Sequence, residues 1–157
     1  MRVKHVMTKD PLCCVPSDTA QHAASLMREA GAGAIPVVES QERRKLVGIV
    51  TDRDLCMKVV AEGSEPGDTP VADCMTLKVV SCTAADSIQK ATELMKENQI
   101  RRVTVIDTDG CLTGIVALAD VVERGDVRAT ETDDTLKKVS APSSSPSKPR
   151  AESRRAA

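Results

Sequence analysis

The sequence predicts an α/β (α+β) protein built from two copies of one β-α-β-β-α unit, followed by a disordered C-terminal tail. Three observations lead there. Met7-Thr8 recurs as Met75-Thr76, Asp18 as Asp86, Leu26-Met27 as Leu94-Met95 and Val37 as Val105, all at an offset of 68. The offset drops to 66 between Gly48 and Gly114, because the first copy has a longer turn over 39–45. Such self-similarity marks duplication of a supersecondary unit. Within each copy, apolar runs of strand length alternate with one longer stretch of helical periodicity. From 128 onward, the Ser- and Pro-rich composition offers too little apolar surface to fold.

The first unit (1–65) opens with a short strand over 12–15, closed by Pro16-Ser17-Asp18. Thr19 is placed to cap a helix whose inner face carries Ala20, Ala23, Ala24 and Met27, and Gly31 ends it. Strands are expected at 35–38 and 46–50 around the charged turn Ser40-Gln41-Glu42-Arg43-Arg44. A second helix over 52–62 should turn Leu55, Met57 and Val59 inward and stop at Gly63. The turn-rich 63–70 link passes over the surface. The second unit (66–127) repeats the order. It has a strand at 80–82, a helix capped by Ser87, strands at 103–106 and 112–116 around Asp109-Gly110, and a final helix at 118–124. A unit of about sixty residues is marginal alone. Packing the two about a pseudo-twofold axis covers both sheets and leaves two equivalent clefts. The tail is 128–157.

Composition excludes several functions. A net charge of −1 draws the chain to neither nucleic acid nor anionic lipid. With no Phe, Tyr or Trp it cannot stack splayed bases, and any bound base must lie between aliphatic side chains. No apolar run approaches the ~20 residues of a membrane span. Met1-Arg2-Val3-Lys4-His5-Val6-Met7 lacks a signal-peptide core, which predicts a cytoplasmic protein. The six cysteines form no Cys-x-x-Cys pair and read as small buried hydrophobes rather than as zinc ligands or disulfides. His5 and His22 lack partners at ligand spacing, so no metal is expected. A phosphate-binding loop, a nucleophile elbow and a His-Glu-x-x-His helix are all missing, so no enzyme activity is expected.

The chemistry collects at Gly48-Ile49-Val50-Thr51-Asp52-Arg53-Asp54 and its copy Gly114-Ile115-Val116-Ala117-Leu118-Ala119-Asp120. In each, a strand stops as a helix starts, where unpartnered N–H groups favour anions. Thr51 and Asp54 offer a hydroxyl and a carboxylate suited to a phosphorylated sugar, or they simply cap the helix. Arg101-Arg102 is either a solvated helix end balancing Glu93 and Glu97, or an anion contact.

The Met-Thr openings, Ala34-Ile35-Pro36-Val37-Val38, Ile100-Arg101-Arg102-Val103-Thr104-Val105-Ile106-Asp107 and the Gly48 motif together resemble a tandem CBS-domain pair (a Bateman module) over roughly residues 1–125. The resemblance implies an adenosine-ligand sensor for AMP, ADP or ATP, and in some members for S-adenosylmethionine. Thr51 and Asp54 match the positions that contact ribose or phosphate. Arg101 and Arg102 match basic residues that reach the phosphates from the partner unit, with Arg53 a further candidate. The second cleft keeps Asp120 but has Ala117 for the hydroxyl, and Gly33 and Ala34 at the arginine positions. At most one tightly bound nucleotide per chain follows, in the Thr51/Asp54 cleft, because charged hydrogen bonds are worth ~1.5–3 kcal/mol each. The resemblance also implies a homodimer through the helices and an unidentified regulated protein, with neither nucleic acid nor membrane as partner. The alternatives are an interaction or dimerisation module without a physiological nucleotide, and a redox-responsive variant using Cys13, Cys14 or Cys82.

Overall fold

A computed structural model describes residues 1–124 and 137–139. The expected tail lies outside the described residues apart from 137–139, which are helical. Elements follow in the order β1 (Thr8–Lys9), α1 (Ala20–Ala30), β2 (Ala34–Val38), β3 (Leu46–Thr51), α2 (Asp52–Leu55), α3 (Val71–Cys74), β4 (Ser81–Thr83), α4 (Ile88–Asn98), β5 (Arg102–Ile106), β6 (Leu112–Ala117) and α5 (Leu118–Arg124). The caps are those the sequence indicates. Thr19 Oγ1 accepts from His22 N–H, Ser87 Oγ accepts from Lys90 N–H, and Gly31 closes α1 at φ 59°. No helix among the described residues is long and apolar enough to cross a membrane.

The strands form a four-stranded sheet, β1-β6-β5-β4, and a two-stranded sheet, β2-β3. The strand expected at 12–15 shrinks to one parallel bridge between Cys14 and Val37. Its counterpart β4 is a strand, and one residue explains the difference. Thr104 gives both its N–H and its hydroxyl to Val80 O, at 3.4 and 3.1 Å. At the matching place in the first unit stands Pro36, which has no N–H to give. The ladder there stops at Cys14 N–H to Pro36 O and Val38 N–H to Cys14 O.

The second helix departs from expectation after α2. Cys56–Val60 winds as a π-helix, with Ala61 N–H reaching Cys56 O at 2.9 Å. The wider turn rotates side chains off the 3.6-residue face. Val59 is buried and Leu55 half-buried, but Met57, expected inward, is 56% exposed.

Each unit's opening segment belongs to the other unit's core. Val3 and Val6 pack with Ile88, Met95, Val103 and Val116, whereas Val71 and Cys74 of α3 pack with Ala23, Ile35, Val37 and Val50. The Met-Thr pairs complete the exchange. Thr8 pairs with Ile115, and Thr76 exchanges both backbone hydrogen bonds with Ile49, at 2.8 and 3.0 Å. The crossing depends on glycine. A Cβ on Gly48 would stand 2.9 Å from Met75 Sδ and 3.1 Å from Thr76 O, and one on Gly114 would stand 2.8 Å from Met7 Sδ and 3.0 Å from Thr8 O. At the axis between the units, Leu46 N–H bonds Gly110 O and Leu112 N–H bonds Arg44 O, over a small cluster of Cys13, Val38 and Leu112.

Gly48→Ala and Gly114→Ala should therefore each lower the urea midpoint by about 1–3 kcal/mol of stability, as overpacking does. Gly67→Ala, whose added carbon would meet only Gln21 Oε1 at 3.3 Å, should change it little. Equal effects at the three positions would refute the role given to the crossing.

Candidate functional site

The crossing leaves a hollow of about 580 Å³ between the end of β3, the segment after Thr76 and the start of β5. Thr51, Arg53, Asp54, Arg101 and Arg102 all line it, so the sequence's candidates from both units converge on one space. Its apolar side is aliphatic, made by Ile49, Val79, Val80 and Ile100.

Thr51 and Asp54 are held rigidly because they also form a capping box at the start of α2. Thr51 Oγ1 accepts from Asp54 N–H at 3.1 Å, and Asp54 Oδ2 accepts from the N–H and hydroxyl of Thr51, both at 3.0 Å. Lys58 Nζ lies 3.5 Å from Asp54 Oδ1 and donates to Cys74 O at 2.7 Å. The capping and ligand readings are thus compatible. The cap fixes the rotamers, and Oδ1 remains the less engaged carboxylate oxygen.

Lys78 lines this hollow too, and the sequence reading missed it. The repeat held the clue, since Lys78 occupies the place that Asp10 takes in the first unit. Gly33, read as a lost arginine position, has a further use. A Cβ there would meet Asp52 Oδ2 at 2.6 Å, so a larger residue would make that exposed carboxylate swing aside from its place at the rim.

A second hollow, about 460 Å³, surrounds Asp120. Asp120 Oδ2 accepts from Ala117 N–H at 3.0 Å, which keeps half of the capping box without the hydroxyl. The charges differ sharply. The first hollow sets Arg53, Lys78, Arg101 and Arg102 against Asp52 and Asp54, whereas the second sets Arg102 against Asp10 and Asp120. Arg102 borders both, and also a third recess between them of about 620 Å³ that includes Arg101, Asp52 and Glu123. Of these three hollows, as lined by the described residues, only the first has a cationic surplus, which is what a phosphorylated ligand needs.

Comparison with known proteins fixes the class. The CBS-domain family model matches residues 3–61 and 71–126, and this chain belongs to that family as a tandem pair. The CBS domain-containing protein YhcV of Bacillus subtilis is 42% identical over 119 residues, 76% of this chain and 81% of that protein. Among solved structures, Hypoxic Response Protein I with two coordinated zinc ions aligns with TM-score 0.70 and 32% identity, over 79% of this chain and 98% of that one. CBSX2 in complex with AMP aligns with TM-score 0.65 and 27% identity, over 78% and 93%. A hexameric CBS-CP12 protein from bloom-forming cyanobacteria aligns with TM-score 0.69 and 27% identity, over 80% and 72%. The described residues of this chain contain no group of three or more His, Cys, Asp and Glu placed to hold a metal.

The cysteines stand apart from the hollows. Cys13, Cys14, Cys74 and Cys82 are buried, but Cys56, expected inside, is exposed on the π-turn. Burial, with help from Asp18, pushes the Cys14 thiol up to about 12. Burial, with help from Asp86, pushes Cys82 up to about 11. Burial also raises Cys13, against the pull of Arg44. Protonated, enclosed thiols are poor nucleophiles, which argues against the redox reading. A thiol pKa raised on folding favours the native state fully below its ordinary value near 9, and that stability is lost as pH rises toward the folded value. The urea midpoint should therefore fall between pH 8.5 and 10.5, and a Cys14→Val, Cys82→Val double variant should flatten the fall. An unchanged slope would show that other groups set it.

Proposed function

We propose that this chain is a regulatory module that binds one adenine nucleotide of the AMP, ADP or ATP class in the Thr51/Asp54 hollow. The observation that carries the reading is the charge difference between two hollows of similar build. On this reading the aliphatic side chains of Ile49, Val79, Val80 and Ile100 take the base. Thr51 and the Oδ1 edge of Asp54 meet the sugar, and Arg101, Arg102 and Lys78 meet the phosphate. The AMP complex of CBSX2 supports the ligand class. Because Thr51 and Asp54 come from one unit and Arg101 and Arg102 from the other, ligand contacts bridge the two. A ligand that prefers one packing of the units over another shifts their equilibrium, and by no more than that preference.

A second reading, a self-association module, draws on a different observation. Met57, Val60 and Val122 are 56%, 70% and 50% exposed on the π-turn and α5. Exposed apolar side chains such as the Met57 and Val60 pair on one turn are surface that a second copy of the chain could cover. We combine the two readings as a sensor that acts as a homodimer or larger assembly, in keeping with the hexameric CBS-CP12 relative.

AMP at 100 times its Kd should add ~2.7 kcal/mol of stability, seen as a thermal shift with an extrinsic dye. Asp54→Ala, Lys78→Ala and an Arg101→Ala, Arg102→Ala double variant should each abolish most of that ligand-dependent shift. Asp120→Ala should retain it, although loss of its cap lowers the unliganded Tm. No shift with AMP, ADP, ATP or S-adenosylmethionine would leave the self-association module as the surviving reading.

Light scattering tests the assembly separately. A Met57→Glu, Val60→Glu double variant should run at the mass of a single chain while the parent does not. A monomeric parent would remove the dimer from the proposal.

A further inference from the structure

The Asp54 carboxylate is engaged at both oxygens, by different parts of the chain. The capping box fixes Oδ2, which accepts from the N–H and the hydroxyl of Thr51, both at 3.0 Å. A carboxylate tied through one oxygen can still turn about its Cβ–Cγ bond, a broad torsion. Lys58 supplies the second point, with Nζ 3.5 Å from Oδ1. A lysine stem is flexible, yet this ammonium is itself anchored, donating to Cys74 O at 2.7 Å. Cys74 ends α3 and is fully buried in the first unit's core with Val71, so its carbonyl belongs to a fixed frame. Lys58 does not border the hollow. It sits on the π-turn, a kind of irregularity that recurs at functional sites. The second unit lacks the arrangement, since Arg124 at the matching place forms no ion pair with Asp120 among the described residues.

We propose that Lys58 is a positioning residue of the hollow, setting the Oδ1 edge of Asp54 for a sugar hydroxyl and so making the site prefer a ribonucleotide over its deoxy analogues. The inference rests on the nucleotide-binding reading above and adds the source of its sugar selectivity. An ionised carboxylate oxygen has two lone pairs, so Oδ1 accepts from the ammonium and from a ligand hydroxyl together. With the carboxylate plane already fixed, the hydroxyl meets an acceptor that loses little freedom on binding. Without the ammonium, Oδ1 turns and takes water instead. A ligand with the hydroxyl and one without it then become nearly equivalent. Loss of the lysine's charge also weakens the pull on a phosphate, but AMP and deoxy-AMP carry the same phosphate. The ratio of their affinities therefore isolates the part that Lys58 plays through Asp54.

Titration calorimetry on the full-length protein with AMP, 2′-deoxy-AMP and 3′-deoxy-AMP reads that ratio. The parent should bind AMP about tenfold to hundredfold more tightly than at least one deoxy analogue, as a hydrogen bond to a charged group predicts. Lys58→Met keeps the stem of a side chain that is 43% exposed, so the variant stays folded. Its preference for AMP should fall to about threefold or less, the worth of a weak, unpositioned hydrogen bond. Equal weakening of AMP and both analogues by Lys58→Met would make the lysine's part structural and overturn the proposal. A variant that keeps the parent's preference would overturn it too, as would a parent that binds all three nucleotides alike. Each of those results leaves the nucleotide reading standing. A parent that binds no AMP removes that reading, and this role of Lys58 with it.

Discussion

The reciprocal crossing of the Met-Thr segments over Gly48 and Gly114 is the contact on which everything else depends. At each crossing a methionine sulfur and a backbone carbonyl stand so close that a Cβ on the glycine would lie 2.8–3.1 Å from them, tighter than real side chains pack. Because each crossing inserts one unit's opening into the other unit's sheet, neither unit can close its core alone. Val3 and Val6 complete the core of the second repeat, and Val71 and Cys74 complete that of the first. The two halves are interlocked rather than merely stacked. The strand ends that carry Thr51 and Ala117 are thereby fixed against the start of the partner's β5 or β2.

That fixed geometry makes the charges meaningful. The two hollows arise from one duplicated scaffold, yet substitution at a few rim positions has polarised them. Lys78 stands against Asp10, Thr51 against Ala117, and Arg101-Arg102 against Gly33-Ala34. Small residues on one side let the arginine from the other border both spaces, so Arg102 is common to the two hollows. The capping box gives the polar end of the site its rigidity. A hydroxyl and a carboxylate already hydrogen-bonded to each other and to the backbone lose little side-chain freedom when a ligand arrives.

The π-turn joins the hollow to the outer surface. The π-turn after α2 carries Lys58 toward Asp54 on one side and turns Cys56, Met57 and Val60 to solvent on the other. The π-turn thus lies between Asp54 and the exposed apolar side chains of Met57 and Val60.

Much of this was legible in the residues themselves. The 68-residue offset, the Thr19 and Ser87 caps, the Gly31 stop and the hairpin turns are local or periodic signals, and local hydrogen bonding suffices to realise them. Thr51 and Asp54 stood out at a strand-to-helix junction, and Arg101 and Arg102 were named through the resemblance to tandem CBS pairs; the structure brings all four to the lining of one hollow. What the linear order does not carry is which copy each segment packs against. The exchange of the opening segments, the placing of Val139 in the lining of the hollow and the sharing of Arg102 are long-range contacts. They are decided by how the assembled surfaces fill space, not by the preferences of neighbouring residues. The shortened strand at Cys14 and the outward Met57 lie between these extremes. Pro36 was visible in the sequence, but only its pairing partner showed which hydrogen bond it would remove. The helical period of 52–62 was real, and only the packed helix showed where it would be broken by a π-turn.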